Sequence, residues 1–127
     1  MNYNLLNGNN LAYIGDAYYE LVVRRHLLEM NITKNKDLRK TSIKYVSASA
    51  HKLIFEGIKE QLTEDEMKIF LRGRNNAPHG YRKNVDKNAY IISTGLEAVI
   101  GYLYLKGDEK RLDELIQLMF TIVESGE

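Results

Sequence analysis

The chain has no cysteine and only one proline, Pro78. Without cysteine, disulfides and thiolate metal sites are excluded. No segment approaches the roughly 18 to 20 consecutive apolar residues of a membrane span, so no membrane is expected as a partner. The N-terminus "MNYNLLNGNN" lacks the basic start and apolar stretch of a signal peptide. There is no Gly/Ser-rich linker, internal repeat or low-complexity tract, and no run alternates apolar and polar residues long enough to argue for a strand. A Ser-centred nucleophile motif, a phosphate loop and an H-E-x-x-H zinc motif are also missing. His26, His51 and His79 lie far apart, without metal-ligand spacing, and read as ordinary surface or helix-end residues. What remains is a soluble, cytoplasmic protein of one domain, residues 1–127, large enough to bury a hydrophobic core.

Helix-forming residues dominate, and the expected fold class is all-α, with helices near 10–29, 34–40, 42–59, 63–73, 86–106 and 108–124. Thr63 followed by "EDE" is an N-cap with acids in the first turn, where the helix dipole favours them. Gly107 and Asp108 close one helix and cap the next. The stretch "GRNNAPHGYRKN", with two glycines and the proline, reads as a loop.

The formal net charge is only +1, but the charges are segregated. Residues 31–52 carry six bases against Asp37, net +5, and residues 72–87 carry five against Asp86, net +4. Residues 108–127 carry six acids and two bases, net −4. Two basic blocks fit a polyanion-facing surface, although solvated loops and helix ends would give the same count.

Two predicted helices are apolar on both sides. In the first, Leu11, Ile14, Tyr18, Leu21 and Leu28 form one face, and the opposite side reads Ala12, Asp16, Tyr19, Val23 and Leu27. In the helix from 86 to 106, apolar residues cover most of the circumference and Glu97 lies in a stripe of small residues and tyrosines. Each helix is expected in the middle of the bundle, which puts Asp16 and Glu97 inside. A buried carboxylate must be paired, hydrogen-bonded or bound to a cation. Tyr, Ser or Thr hydroxyls, or Arg24 or Arg25, would satisfy one such acid. Two acids on two buried helices point instead to a shared Mg²⁺ site, since hard cations prefer carboxylate oxygens. Glu20, one turn after Asp16, is within reach of that site, but a rim salt bridge is the simpler role.

"LAYIGDAYYELVVR" and "STGLEAVIGYLYL", with "YVSASAH" and "RGRN" between them, resemble the catalytic domain of the ribonuclease III family, and specifically its short form, the Mini-ribonuclease III branch. The resemblance implies a ribonuclease III-type helical endonuclease domain over nearly the whole chain. Longer members carry two pairs of acids. Here Asp16 and Glu97 match the second member of each pair, while Ala12 and Thr94 stand in place of the first. Asp16 and Glu97 are thus implied as catalytic residues and as ligands of Mg²⁺, with Mn²⁺ as a substitute.

The short branch lacks the double-stranded-RNA-binding domain of longer relatives, so RNA affinity is expected to come from the catalytic domain. The loop resembles the family's basic RNA-contacting loop. Arg72, Arg74, Arg82 and Lys83 are expected on phosphates, and Asn75 and Asn84 on 2′-hydroxyls. The resemblance also implies a symmetric homodimer that cuts both strands of double-stranded RNA, leaving a short 3′ overhang, with ribosomal RNA precursor (23S) as substrate. The apolar excess of the 10–29 helix offers the dimer surface. Two alternatives stay open on the sequence: a non-catalytic relative that binds structured RNA, and a helical protein–protein module whose acids are hydrogen-bonded core residues.

Overall fold

The structure, a computed structural model, describes residues 1–77 and 86–126. Among them are six α-helices: α1 (Gly8–Glu29), α2 (Asn35–Val46), α3 (Ala48–Ile58), α4 (Glu64–Asn75), α5 (Lys87–Lys106) and α6 (Glu109–Ser125). Short 3-10 turns occupy Tyr3–Leu5 and Lys59–Gln61, and no strand is present among the described residues. The all-α expectation therefore holds. No described helix is long and apolar enough to cross a membrane.

The ends of the helices are set by local chemistry. Asn7 and Asn10 form a reciprocal cap at the start of α1, and Thr63 and Glu66 do the same for α4. Asp86 accepts from the first amides of α5, and Gly107, at φ 82°, takes the left-handed position that ends it. One boundary differs from expectation. α2 runs on through residue 40 to Val46, and the break falls at Ser47. Ser47 has extended backbone and its hydroxyl accepts from the Ala50 amide at 3.1 Å, so it caps α3 and the chain turns there.

α5 is the central helix. Ala89, Ile92, Leu96, Ala98, Val99, Ile100 and Leu103 are all buried on it, and α1, α3 and α4 pack around it. α6 closes the bundle chiefly against α3 and α5. It is pinned by Arg111, whose guanidinium contacts the buried Glu66 carboxylate at 2.8 Å and also donates to the Gln61 carbonyl. Burial alone would raise the pKa of Glu66, but Arg111 and Thr63 outweigh it and hold the group below the usual range.

The expectation for α1 needs correction. Only one side of it is buried, by Leu11, Ala12, Gly15, Tyr19, Val23 and Leu27. Tyr13, Leu21 and Leu28 are exposed, at 84%, 66% and 54%. α1 lies against α5 on the outside of the bundle, so its second apolar stripe has no cover within a single chain.

α1 and α5 meet backbone to backbone. A Cβ at Gly15 would collide with the Glu97 carbonyl, and one at Gly101 with the Leu11 carbonyl. The absence of side chains at these two positions lets the helices approach closely enough for their acids to meet.

Candidate active site

Asp16 on α1 and Glu97 on α5 come together at this crossing. Their carboxyl groups lie within hydrogen-bonding reach of one another. Glu97 is half-buried and its pKa is pushed up to about 9, first by burial, then by the hydrogen bond with Asp16, the charge of Asp16 and the charge of Glu20. The pairing matches the sequence expectation, but the burial of Asp16 does not. Asp16 is exposed, because it sits on the edge of α1 that α5 leaves open to solvent.

No basic side chain neutralises this pair among the described residues. Arg24 is engaged by Glu20 at 3.4 Å and Arg25 by Glu29 at 3.4 Å. Glu20 thus makes the rim ion pair that its position suggested, while its charge is still felt by Glu97. The nearby hydroxyls on α5 are committed elsewhere. Thr94 donates to the Tyr90 carbonyl at 3.1 Å, and the Ser93 hydroxyl lies 2.6 Å from His51 Nδ1. Ala12 and Thr94 are both buried.

Two carboxyl groups in contact, with a third one turn away and no protein cation, need a shared proton or an external cation. The donor set is all oxygen and open to solvent at Asp16, which fits a hard divalent ion that keeps several of its waters. No group of three or more acids and histidines suited to holding a metal occurs among the described residues. Asp16 and Glu97 are the two carboxyl groups that meet here.

His51 departs from expectation. It is a buried residue, 1% exposed, rather than a surface one. It is edge-on to the Tyr19 ring at 5.4 Å and feels the charge of Asp16. Burial lowers its pKa to about 4 against the smaller raising effects of Asp16 and the Tyr45 backbone, so it is neutral at pH 7. The spacing of His51, Ile54 and Ile58 on one helical face was the available signal for its burial.

Of the proposed RNA-contacting residues, Arg72, Arg74 and Asn75 form the last turn of α4. That turn abuts the start of α1: Arg72 donates to the Leu6 carbonyl at 3.5 Å, and a Cβ at Gly8 would meet the Arg72 carbonyl. Arg74 reaches Asn75 Oδ1 at 3.4 Å. Arg82, Lys83 and Asn84 lie outside the described residues.

Comparisons with known proteins identify the family. Residues 9–108 match the family model "Ribonuclease III domain". The chain is 43% identical over 117 residues to a Mini-ribonuclease 3 of Symbiobacterium thermophilum, covering 92% of this chain and 90% of that protein. It is 45% identical over 123 residues to a Mini-ribonuclease 3 of Streptococcus pneumoniae, covering 95% and 96%. A crystal structure of a Fusobacterium nucleatum protein superimposes with a TM-score of 0.82 at 29% identity, over 91% of this chain and 93% of that one. With the acid pair at the crossing of α1 and α5, these matches place the chain in the ribonuclease III family, in its Mini-ribonuclease III branch, as an endoribonuclease.

Proposed function

We propose that the protein is a Mg²⁺-dependent endoribonuclease of the cytoplasm that cuts double-stranded RNA, with ribosomal RNA precursor as its physiological substrate. The observation that carries this is the Asp16–Glu97 pair, two carboxyl groups in contact without a basic partner. Asp16 and Glu97 would hold the ion, and Mn²⁺ would satisfy the same oxygen ligands. A divalent ion bound there supplies activation of water and stabilisation of charge on the scissile phosphate. The protein's own residues do the rest. Glu97 would serve as a ligand in its ionised form, and Asp16, on the solvent side, would face the RNA backbone. Arg72 and Arg74 hold neighbouring phosphates and Asn75 contacts sugar, joined by Arg82, Lys83 and Asn84 of the following loop.

A homodimer completes this function. Tyr13, Leu21 and Leu28 fall on one outward stripe of α1 beside Asp16 and are exposed in the single chain. Pairing two such stripes about a two-fold axis would bury them and present two acid pairs to the two strands of one duplex. The test is cleavage of a long duplex RNA with Mg²⁺ by the wild type and by Asp16→Asn. Loss of cutting with RNA binding retained supports the assignment. Equal cutting by both proteins removes Asp16 from the chemistry and sinks it.

A further inference from the structure

We infer that His51 is a positioning residue for the acid pair: by touching both α1 and α5 next to their crossing, it fixes the orientation in which Asp16 and Glu97 are presented. This role rests on the proposed metal-dependent cleavage and adds to it a residue of α3, outside the two helices that carry the acids.

The register of the α1–α5 crossing points to His51. The two helices run antiparallel, with Leu11 opposite Gly101 and Gly15 opposite Glu97, and at both of these rungs backbone faces backbone. One turn further along, about 6 Å, the same register sets Tyr19 of α1 opposite Ser93 of α5. His51 reaches both of them. Its Nδ1 lies 2.6 Å from the Ser93 hydroxyl, and its ring meets the Tyr19 ring edge-on at 5.4 Å. All three side chains are buried. Tyr19 follows Asp16 by three residues and Ser93 precedes Glu97 by four, so each contact lies about one turn from the acid on its own helix.

Close backbone contact sets how near two helices come. How each is rolled about its axis is set by the side chains packed along the seam, and a carboxyl group several bonds from the backbone swings with that roll. A hydrogen bond on the α5 side and a ring contact on the α1 side tie both rolls to one flat, rigid side chain. The chain delivers that ring locally: Ser47 caps α3, and the His51 amide donates to the Ser47 carbonyl at 2.9 Å. Histidine also suits the place electrically. Burial holds its pKa down at about 4, so it brings no positive charge to the neighbourhood of Asp16 at pH 7. A permanently charged side chain there would compete with a metal ion for that carboxylate.

The test compares the wild type with H51L, S93A and the conservative H51Q, and adds I116V, a small truncation of the buried face of α6. Stability is read from the urea midpoint, and metal binding from the Mn²⁺ concentration needed for a given rise in Tm without RNA. Cleavage of a duplex RNA in Mg²⁺ gives kcat and KM per folded molecule. H51L and S93A should each lower kcat at least about tenfold and raise the required Mn²⁺ about tenfold, with KM within about twofold of wild type. H51Q, whose amide can still bond to Ser93, should recover most of the kcat. H51L/S93A should be no worse than the poorer single variant, because both changes remove one bond. I116V should lower the urea midpoint alone. Where H51L does not fold, S93A and H51Q carry the same comparison. If H51L and S93A lower the urea midpoint but keep the wild-type kcat and Mn²⁺ response, His51 is a core residue only, and the positioning role is overturned while the proposed cleavage stands. If I116V loses as much kcat as S93A, the cause is general loosening and the role is again overturned. If the wild type neither responds to Mn²⁺ nor cuts duplex RNA, the proposed function and the positioning role fail together.

Discussion

Glu97→Gln should make the metal-free protein more stable while abolishing its response to divalent cations. In the absence of metal the Glu97 carboxyl is pushed up to about 9, from an ordinary value of 4.5. Between those two values the folded chain keeps a proton that the unfolded chain releases. The stability of the wild type is therefore greatest below the unfolded pKa and falls as pH rises toward the folded one. An amide is uncharged at every pH and also supplies a donor to Asp16, so the variant escapes that fall. At pH 7 the ceiling of the difference is roughly 3 kcal/mol, from about 1.4 kcal/mol per pH unit. Solvent reaches this half-buried group, which reduces the expected gain to about 1–2 kcal/mol. For a chain of this size that is a rise in Tm of about 3–10 °C.

The assay is thermal unfolding in EDTA at pH 5, 7 and 8.5, repeated at pH 7 with millimolar Mg²⁺ or Mn²⁺. The gap between variant and wild type should widen with pH. Added cation should raise the wild-type Tm and leave the variant's unmoved. A variant less stable than the wild type in EDTA at pH 7 would mean that the Glu97 carboxylate is ionised and satisfied by the fold itself. That outcome would refute the metal-site argument at its source.

Three further outcomes follow from the packing. His51, held neutral by burial with a pKa of about 4 against 6.5 when unfolded, costs stability as pH falls through that interval; the wild type should lose about 2 kcal/mol by pH 5 in urea titrations, and His51→Gln should flatten the dependence. Gly15→Ala drives a methyl into the Glu97 carbonyl and should lower stability by at least about 3 kcal/mol, read from the urea midpoint, with loss of RNA cleavage as the two acids move apart. Arg111→Ala leaves the buried Glu66 without its cation and should cost about 3–5 kcal/mol, measured by the same denaturation.

The parts of the fold written in local chemistry were legible in the sequence. Thr63 starts its helix and Gly107 ends its own where expected, and the continuous apolar surface of α5 marks it as central. The Ser47 break was hidden because "YVSASAH" keeps helix-forming residues on both sides of the cap. α1 misled for a different reason. Its outward Leu21 and Leu28 look like core residues, and periodicity cannot separate a stripe covered by the same chain from one left open. The acids Asp16 and Glu97 were expected close together and the two helices do bring their carboxyl groups into contact, yet the exposure of Asp16 depended on which edge of α1 faces α5. His51 was misplaced because its partner, Ser93, lies 42 residues away in sequence, and no local pattern records such a contact.

The bare-backbone crossing at Gly15 and Gly101 has a consequence for how this enzyme can be altered. In most sites the spacing of two reacting groups is a matter of rotamers, and a neighbouring methylene can nudge it. Here the gauge between the two acids is set largely by main chain, because Gly15 and Gly101 bring the two backbones together with no side chain of their own to act as a shim. Any adjustment of that gauge requires a whole helix to slide, at the expense of the core that α5 anchors. Specificity in such an enzyme is free to drift through its outer cations and its loops, while the cutting geometry itself stays locked.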